Sequence, residues 1–226
     1  MNTNKKTIAL VGLIGSGKDT VADYLQNIHH FRRESFARTL KDAVSSVFNW
    51  DREMLEGRTE HSREWREEVD KWWAERLGIP NLTPRWVLQY WGTDVLRKNF
   101  HNDIWIASLE NKLRSNRDNI VISDCRFINE ITAVQNQGGL VVRIKRGEDP
   151  LWLKAASVYN TAQNSNEREK AKVKLDEMGV HQSEADWAGY NFDHVLYNDY
   201  TLTELYDQIN NLLEDHQIST PNLLSE

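Results

Sequence analysis

Eight consecutive residues, Gly12-Leu13-Ile14-Gly15-Ser16-Gly17-Lys18-Asp19, carry the strongest chemical signal in the chain. A glycine, four further residues and then Gly-Lys is the Walker A spacing. Gly12, Gly15 and Gly17 let the backbone curl around Ser16 so that successive N–H groups point at phosphate oxygens. The N-terminus of the helix that follows adds its positive dipole end, and the Lys18 ammonium adds a point charge on the β and γ phosphates. The chemistry predicted is binding of a nucleoside triphosphate. One position departs from the pattern: Asp19 stands where a hydroxyl usually ligates Mg²⁺, with Thr20 next. A carboxylate there repels a triphosphate unless a cation lies between them.

Three further groups are candidates. Ser123-Asp124-Cys125-Arg126 follows an apolar run, so Asp124 sits where a strand-ending carboxylate would lie near Mg²⁺, with Arg126 reaching the same cleft. Glu130 either pairs with Arg126 or contacts substrate. Gly92-Thr93-Asp94-Val95-Leu96-Arg97 is either a close backbone approach with an Arg fork for phosphate, or a helix break with a surface Arg. His181-Gln182-Ser183-Glu184 reads as a helix N-cap with a Glu beyond it.

These residues need a scaffold, and the hydrophobic pattern supplies one. Short apolar runs at Thr7–Val11, Asn119–Ser123, Leu140–Ile144 and Phe192–Tyr197 predict strands, with a weak fifth over Arg33–Phe36. Helical spacing marks Asp19–His30, Thr39–Trp50, a start at Thr83-Pro84 running to Gly92, Asp103–Leu113, Ile128–Gln137 and Leu202–Leu213. Glu53–Leu77 reads as one or two exposed helices and Leu151–Met178 as a polar helical stretch. Strands alternating with helices predict an α/β fold: a mostly parallel sheet of about five strands flanked by helices, in a single domain spanning 1–226. Helical insertions are expected at about 50–82 and 147–180, the second a candidate lid, with a frayed tail from about 218.

Composition narrows the class. The chain has 226 residues, is 39% hydrophobic and 27% charged, and carries a net charge of −6, which suits a globular protein and argues against binding a nucleic-acid polymer. Residues 1–146 hold 23 basic and 19 acidic groups, while 147–226 hold 5 and 15, so an anionic ligand is better sought in the first two-thirds. A single Cys125 excludes an intramolecular disulfide and suits a reducing cytoplasm. No apolar run approaches a membrane span, and the polar start, Met1 to Lys6, lacks the pattern of a signal peptide. Seven of the nine tryptophans lie between Trp50 and Trp105; most are expected in packing, with one or two free to stack on an aromatic ligand.

In their order and spacing, Gly12-x4-Gly17-Lys18-Asp19-Thr20, Thr83-Pro84-Arg85 leading to Gly92-Thr93-Asp94, Asp103-x-Trp105, Ser123-Asp124-x-Arg126-x3-Glu130 and His181-x-Ser183-Glu184 resemble the deoxynucleoside monophosphate kinases of tailed phages. The resemblance spans residues 7 to about 215, and an Asp after the loop lysine is normal in that family. It implies a P-loop kinase fold, with ATP on the loop and a deoxynucleoside monophosphate as acceptor, Lys18 and Arg126 as catalytic groups, and Mg²⁺ at Asp19 and Asp124. Gly92, Thr93, Asp94, Asn99 and Trp105 would line the monophosphate site, with Glu130 nearby. Some members carry a basic residue where this chain has Ile14, so that phosphate contact is expected to be either lost or replaced, by Lys41, Arg85 or Arg97. The resemblance also suggests a phage protein in a bacterial cytoplasm, with a homodimer admitted. Phosphomevalonate kinases share the Gly-Lys-Asp loop and the Asp-x-Arg strand end. They, and a nucleotide-binding protein without turnover, are the rival expectations.

Overall fold

The structure, a computed structural model, describes residues 6–218. Met1 to Lys5 lie outside the described residues, as does the tail expected to fray from about 218, except Ile218 itself, which is buried. The elements run β1 (Thr7–Val11), α1 (Lys18–Asn27), β2 (Arg32–Glu34), α2 (Arg38–Phe48), α3 (Arg52–Glu56), α4 (Glu60–Glu67), α5 (Lys71–Leu77) and α6 (Pro84–Gln89). A π-helical segment (Tyr90–Arg97) leads on to α7 (Ile104–Leu113), β3 (Ile120–Ile122), α8 (Ile128–Asn136), β4 (Leu140–Lys145), α9 (Leu151–Thr161), α10 (Ser165–Glu177), α11 (Gln182–Ala185), β5 (His194–Tyr197) and α12 (Leu202–Asp215). All five expected strands are present, the weak one as Arg32–Glu34, and each adjacent pair is parallel, in the order β2-β3-β1-β4-β5.

The chain divides into two compact units: the described parts of Met1–Ser35 and Ser115–Glu226, and Phe36–Arg114. The first holds the sheet. Ile8 and Leu10 of β1 and Val142 and Ile144 of β4 pack with Val21 and Leu25 of α1 and Leu205, Ile209 and Leu212 of α12. Such side chains contribute roughly 1.5–3 kcal/mol each when fully buried. The central strands are apolar on both faces because helices cover both. Pairing of Ala9 with Ile122, continued by two residues in the same register, brings Asp124 level with Val11 at the carboxyl end of β1.

The second unit is helical and contains the excursion expected over 50–82. Its tryptophans mostly pack. Phe48 stacks on Trp50 with ring centroids 4.4 Å apart and meets Trp73 at 4.8 Å and Trp91 at 5.4 Å. The indole N–H groups of Trp50 and Trp73 donate to Asp70 Oδ2 and the Phe48 carbonyl. Where one or two helices were expected over Glu53–Leu77 there are three, because Thr59 and Asp70 each cap a new start: Thr59 Oγ1 accepts from the Ser62 N–H and Asp70 Oδ1 from the Trp73 N–H. The polar stretch Leu151–Met178 is likewise two helices, α9 and α10, divided where Asn164 caps the second.

Candidate active site

The loop from Gly12 to Gly17 joins the carboxyl end of β1 to α1. Gly12, at φ 152°, would drive a Cβ into the Ile144 carbonyl oxygen. Gly17, at φ 103°, is the N-cap of α1, in the left-handed region that favours glycine. Among the described residues no side chain caps α1, so its first N–H groups, which adjoin the loop, carry no side-chain cap. The Ser16 hydroxyl is buried without a hydrogen-bond partner among the described residues. An open helix start and an orphaned hydroxyl in one curled loop suit an anion.

Lys18 curls back over the loop, where its Nζ donates to the carbonyl oxygens of Gly12 and Leu13, both at 2.8 Å. Burial and the positive charge of Arg126 push its pKa down to about 8, with Asp19 and Asp124 pulling the other way. These four side chains therefore share one electrostatic neighbourhood. Asp124 accepts a hydrogen bond from Ser35 Oγ at 2.7 Å. Thr20 lies one step further along α1 and is half-buried. Asp19 is largely exposed, and its carboxylate is engaged by the guanidinium of Arg33 from β2.

Within the first unit Lys18 and Arg126 open on a cleft of about 220 Å³, lined also by Gly12, Leu13, Ile14 and Glu184, with Pro150, Trp152 and Trp187 completing the wall. Ile14, at the tip of the loop, is 66% exposed. Asn160 of α9 donates to the carbonyl oxygens of Ala185 and Ala188, both at 2.9 Å, which fixes the segment bearing Glu184 and Trp187. Arg143 of β4 lies over the Trp187 ring, 5.3 Å from its centroid, and pairs with Asp149. Glu130 is engaged by the backbone: its Oε2 accepts from the N–H groups of Arg126 and Phe127 at 2.8 and 3.1 Å, fixing the turn that presents Arg126. The carboxylate is 2% exposed.

The remaining expected site residues lie in the second unit. Gly92, Thr93 and Asp94 fall in the π-helical segment, which continues α6 without the break expected at Gly92. A Cβ on Gly92 would crowd a methyl of Leu40 at 2.8 Å, so the glycine here serves helix packing. The wider π turn absorbs one extra residue, a feature frequent at functional sites. Trp105 is buried and its indole N–H donates to the Gly92 carbonyl at 3.0 Å. Asn99 donates to the Asp94 carbonyl at 2.6 Å, and Asp94 pairs with Lys98. Arg97 is buried, with its Nη1 donating to the Asn102 carbonyl at 3.1 Å. Lys41 pairs with Glu56 at 2.6 Å and Arg85 with Glu67 at 3.3 Å.

Sequence reasoning missed Arg33, Asn198, Pro150, Trp152 and Trp187, and set Glu184 aside as a cap. Asn198, just past β5, donates its side-chain amide to the Ser16 carbonyl at 2.9 Å. None of these follows a spacing rule from the loop: the pairing of β2 with β3 brings Arg33, the turn after β4 brings Pro150 and Trp152, and the pairing of β4 with β5 and the fold-back of α11 bring the rest. Among the described residues no group of three or more His, Cys, Asp or Glu side chains could hold a metal ion by itself. No helix among them is long and apolar enough to cross a membrane.

The chain is similar to several known proteins. Residues 66–154 match the family model of deoxynucleotide monophosphate kinases. A protein of Acanthamoeba polyphaga mimivirus, provisionally named a deoxynucleotide monophosphate kinase, is 30% identical over 216 residues, covering 89% of this chain and 93% of its own. Among solved structures, shikimate kinase from Aquifex aeolicus is similar at 13% identity over 94% of this chain and 99% of its own, with a TM-score of 0.45. Dephospho-CoA kinase from Campylobacter jejuni is similar at 15% identity over 94% and 97%, with a TM-score of 0.43.

Proposed function

This chain belongs to the deoxynucleotide monophosphate kinase family, and from that premise we propose that it transfers the γ-phosphoryl group of ATP to a deoxynucleoside 5'-monophosphate, giving ADP and the diphosphate. The observation that carries the donor half is the loop itself: glycines at positive φ, an uncapped α1 start, and Lys18 with Arg126 on one cleft. Donor phosphates would lie along the N–H groups of Gly15 to Lys18, with Lys18 moving from the loop carbonyls to a phosphate oxygen. Arg126 would neutralise charge that develops as the phosphoryl group moves. The acceptor phosphate is already ionised at neutral pH, so no general base is required.

The donor set fits Mg²⁺ as a partner of the nucleotide: one or two carboxylates and no all-protein cage is how this ion commonly binds, with phosphates and waters completing its shell. When bound, it neutralises phosphate charge. Asp124 would hold it, and so would Asp19 if Arg33 released that carboxylate. The second unit would carry the acceptor determinants, with the Gly92–Asp94 segment braced by Trp105 and Asn99, and Lys41, Arg85 and Arg97 as its cations. In this reading residues 1–226 act as one kinase domain, with 147–180 as a lid, in the cytoplasm and away from nucleic-acid polymers.

The test is an ADP-release assay across the common ribo- and deoxyribonucleoside monophosphates, with phosphomevalonate included. Turnover with one or more deoxynucleotides is expected. Turnover with phosphomevalonate alone, or tight ATP binding with no acceptor consumed, would replace the proposal with one of its rivals.

A further inference from the structure

The charge of Asp19 poses a problem that the loop motif leaves open. A carboxylate on the first turn of α1 opposes any polyanion bound at that turn. In this fold a cation already faces it. Arg33, on the edge strand β2, has a side chain only 14% exposed. Its Nη1 donates to Asp23 at 2.6 Å, its Nη2 also engages Asp19, and its Nε lies 3.3 Å from the Ser123 Oγ. Asp19 and Asp23 are one helical turn apart on α1, so a single guanidinium spans both carboxylates and ties them to the end of β3. The planar fork is what makes this possible, since it offers donors in several fixed directions at once.

We propose that Arg33 is a positioning residue for nucleotide binding: it supplies the counter-charge of Asp19 and holds that carboxylate to the α1–β2 side, away from the phosphates. Mg²⁺ is then not required as the partner of Asp19, and its carboxylate ligand is Asp124. The inference rests on the reading of the Gly12–Gly17 loop as the nucleotide site, and it is independent of which acceptor is phosphorylated. With its Asp19 partner largely exposed, the pair adds little to the stability of the fold. Its consequence here lies in what a neighbouring polyanion experiences.

The experiment is ADP titration of the full chain by calorimetry, once with EDTA and once with saturating Mg²⁺, so that binding is read without turnover. Arg33→Met, which keeps the aliphatic stem, should weaken metal-free ADP binding by about five- to tenfold, and less at high salt. Arg33→Lys should recover part of that loss. Adding Asp19→Asn to Arg33→Met should bring binding back to within about threefold of wild type, because the uncompensated charge is gone. Asp19→Asn alone should keep the full strengthening of ADP binding by Mg²⁺. This last variant sits on an exposed helix position and tests the proposal even if Arg33→Met does not fold. Loss of the Mg²⁺ effect in Asp19→Asn, or wild-type binding by a folded Arg33→Met, would overturn it. Failure of the phosphotransferase reading would look different: these ADP affinities would hold while no monophosphate was consumed.

Discussion

Asn198 and Ser16 are joined across 182 positions of sequence by one hydrogen bond, from the Asn198 side-chain amide to the Ser16 carbonyl at 2.9 Å. The bond anchors the glycine loop to the end of β5, two strands away from β1. It also explains why Gly17 has no alternative: a Cβ there would run into the same amide, besides straining a backbone at φ 103°. Asn198→Ala removes the anchor without filling space. Its expected effect is a KM for ATP raised several-fold, the scale of one lost hydrogen bond of about 1 kcal/mol, with kcat changed less. Gly17→Ala should lose nearly all nucleotide binding. Parallel ADP titrations and melting curves check both, since the first variant should melt close to wild type.

Lys18 gives the free protein a pH dependence in an unusual window. Its pKa is pushed down to about 8 by burial and by Arg126, against 10.5 for the unfolded chain. Between those values the unfolded chain holds a proton that the folded one has released, so the stability of the ligand-free protein should rise with pH from about 8 to about 10.5 through this group. Nucleotide binding works in the opposite sense, since a phosphate favours the charged amine. ADP affinity should fall as pH passes 8, and binding near pH 8.5 should take up a fraction of a proton. Calorimetry in buffers of different ionisation enthalpy measures that uptake, and Lys18→Met should abolish it.

Glu56 sets the acid limit of the second unit. Burial raises its pKa, but the nearby charge of Lys41 and hydrogen bonds from Lys41 and Arg52 outweigh that and hold it at about 2. The folded value lies below the unfolded one, so the contribution is complete above about pH 4.5 and is lost as pH falls towards 2. Glu56→Gln should cost on the order of 2–3 kcal/mol at pH 7, because it leaves Lys41 without its partner, and should flatten the loss of stability between pH 4.5 and 2. Denaturant midpoints measured across that range decide it.

β1, β3, β4 and β5 were legible because each is a short apolar run closed by glycine or charge, and the helices between strands implied parallel pairing; β2, Arg32-Arg33-Glu34, is charged and its signal correspondingly weak. Helix breaks within polar stretches were less visible, since the amphipathic stripe fades there. Even so, the capping residues Thr59, Asp70 and Asn164 stood in the sequence as signals that division was possible. The donor end of the site was legible for a related reason. Gly12 to Asp19 is contiguous, and Asp124 and Arg126 directly follow a strand. Glu184, Trp187 and Asn198 could not be found the same way, because their approach to the loop depends on the docking of α11 and on the β4–β5 register. The π-helical turn at Tyr90–Arg97 was hidden too: inserting one residue into a helix shifts the face by about 100° without changing residue types.

Arg126 offers a prediction in which charge and shape separate. Its backbone is fixed by Glu130, and its guanidinium has no ion-pair partner among the described residues while it lines the cleft beside Lys18. Two cations side by side raise each other's cost, which is why Arg126 contributes to the low pKa of Lys18. Arg126→Gln should therefore move the pH at which ADP affinity falls upward from about 8, though not to 10.5, because burial of Lys18 is the larger cause and remains. Arg126→Lys keeps the charge, so the pH profile should stay near wild type. It loses the planar fork that can hold two phosphate oxygens at once, so turnover should fall by more than roughly tenfold. The pair of variants must thus split: one shifts the pH profile of binding, the other leaves it in place, and both lose rate. If Arg126→Lys turned over like wild type, the guanidinium would be a general source of charge rather than a bidentate clamp. If Arg126→Gln left the profile unmoved, the two cations would not share the cleft in solution.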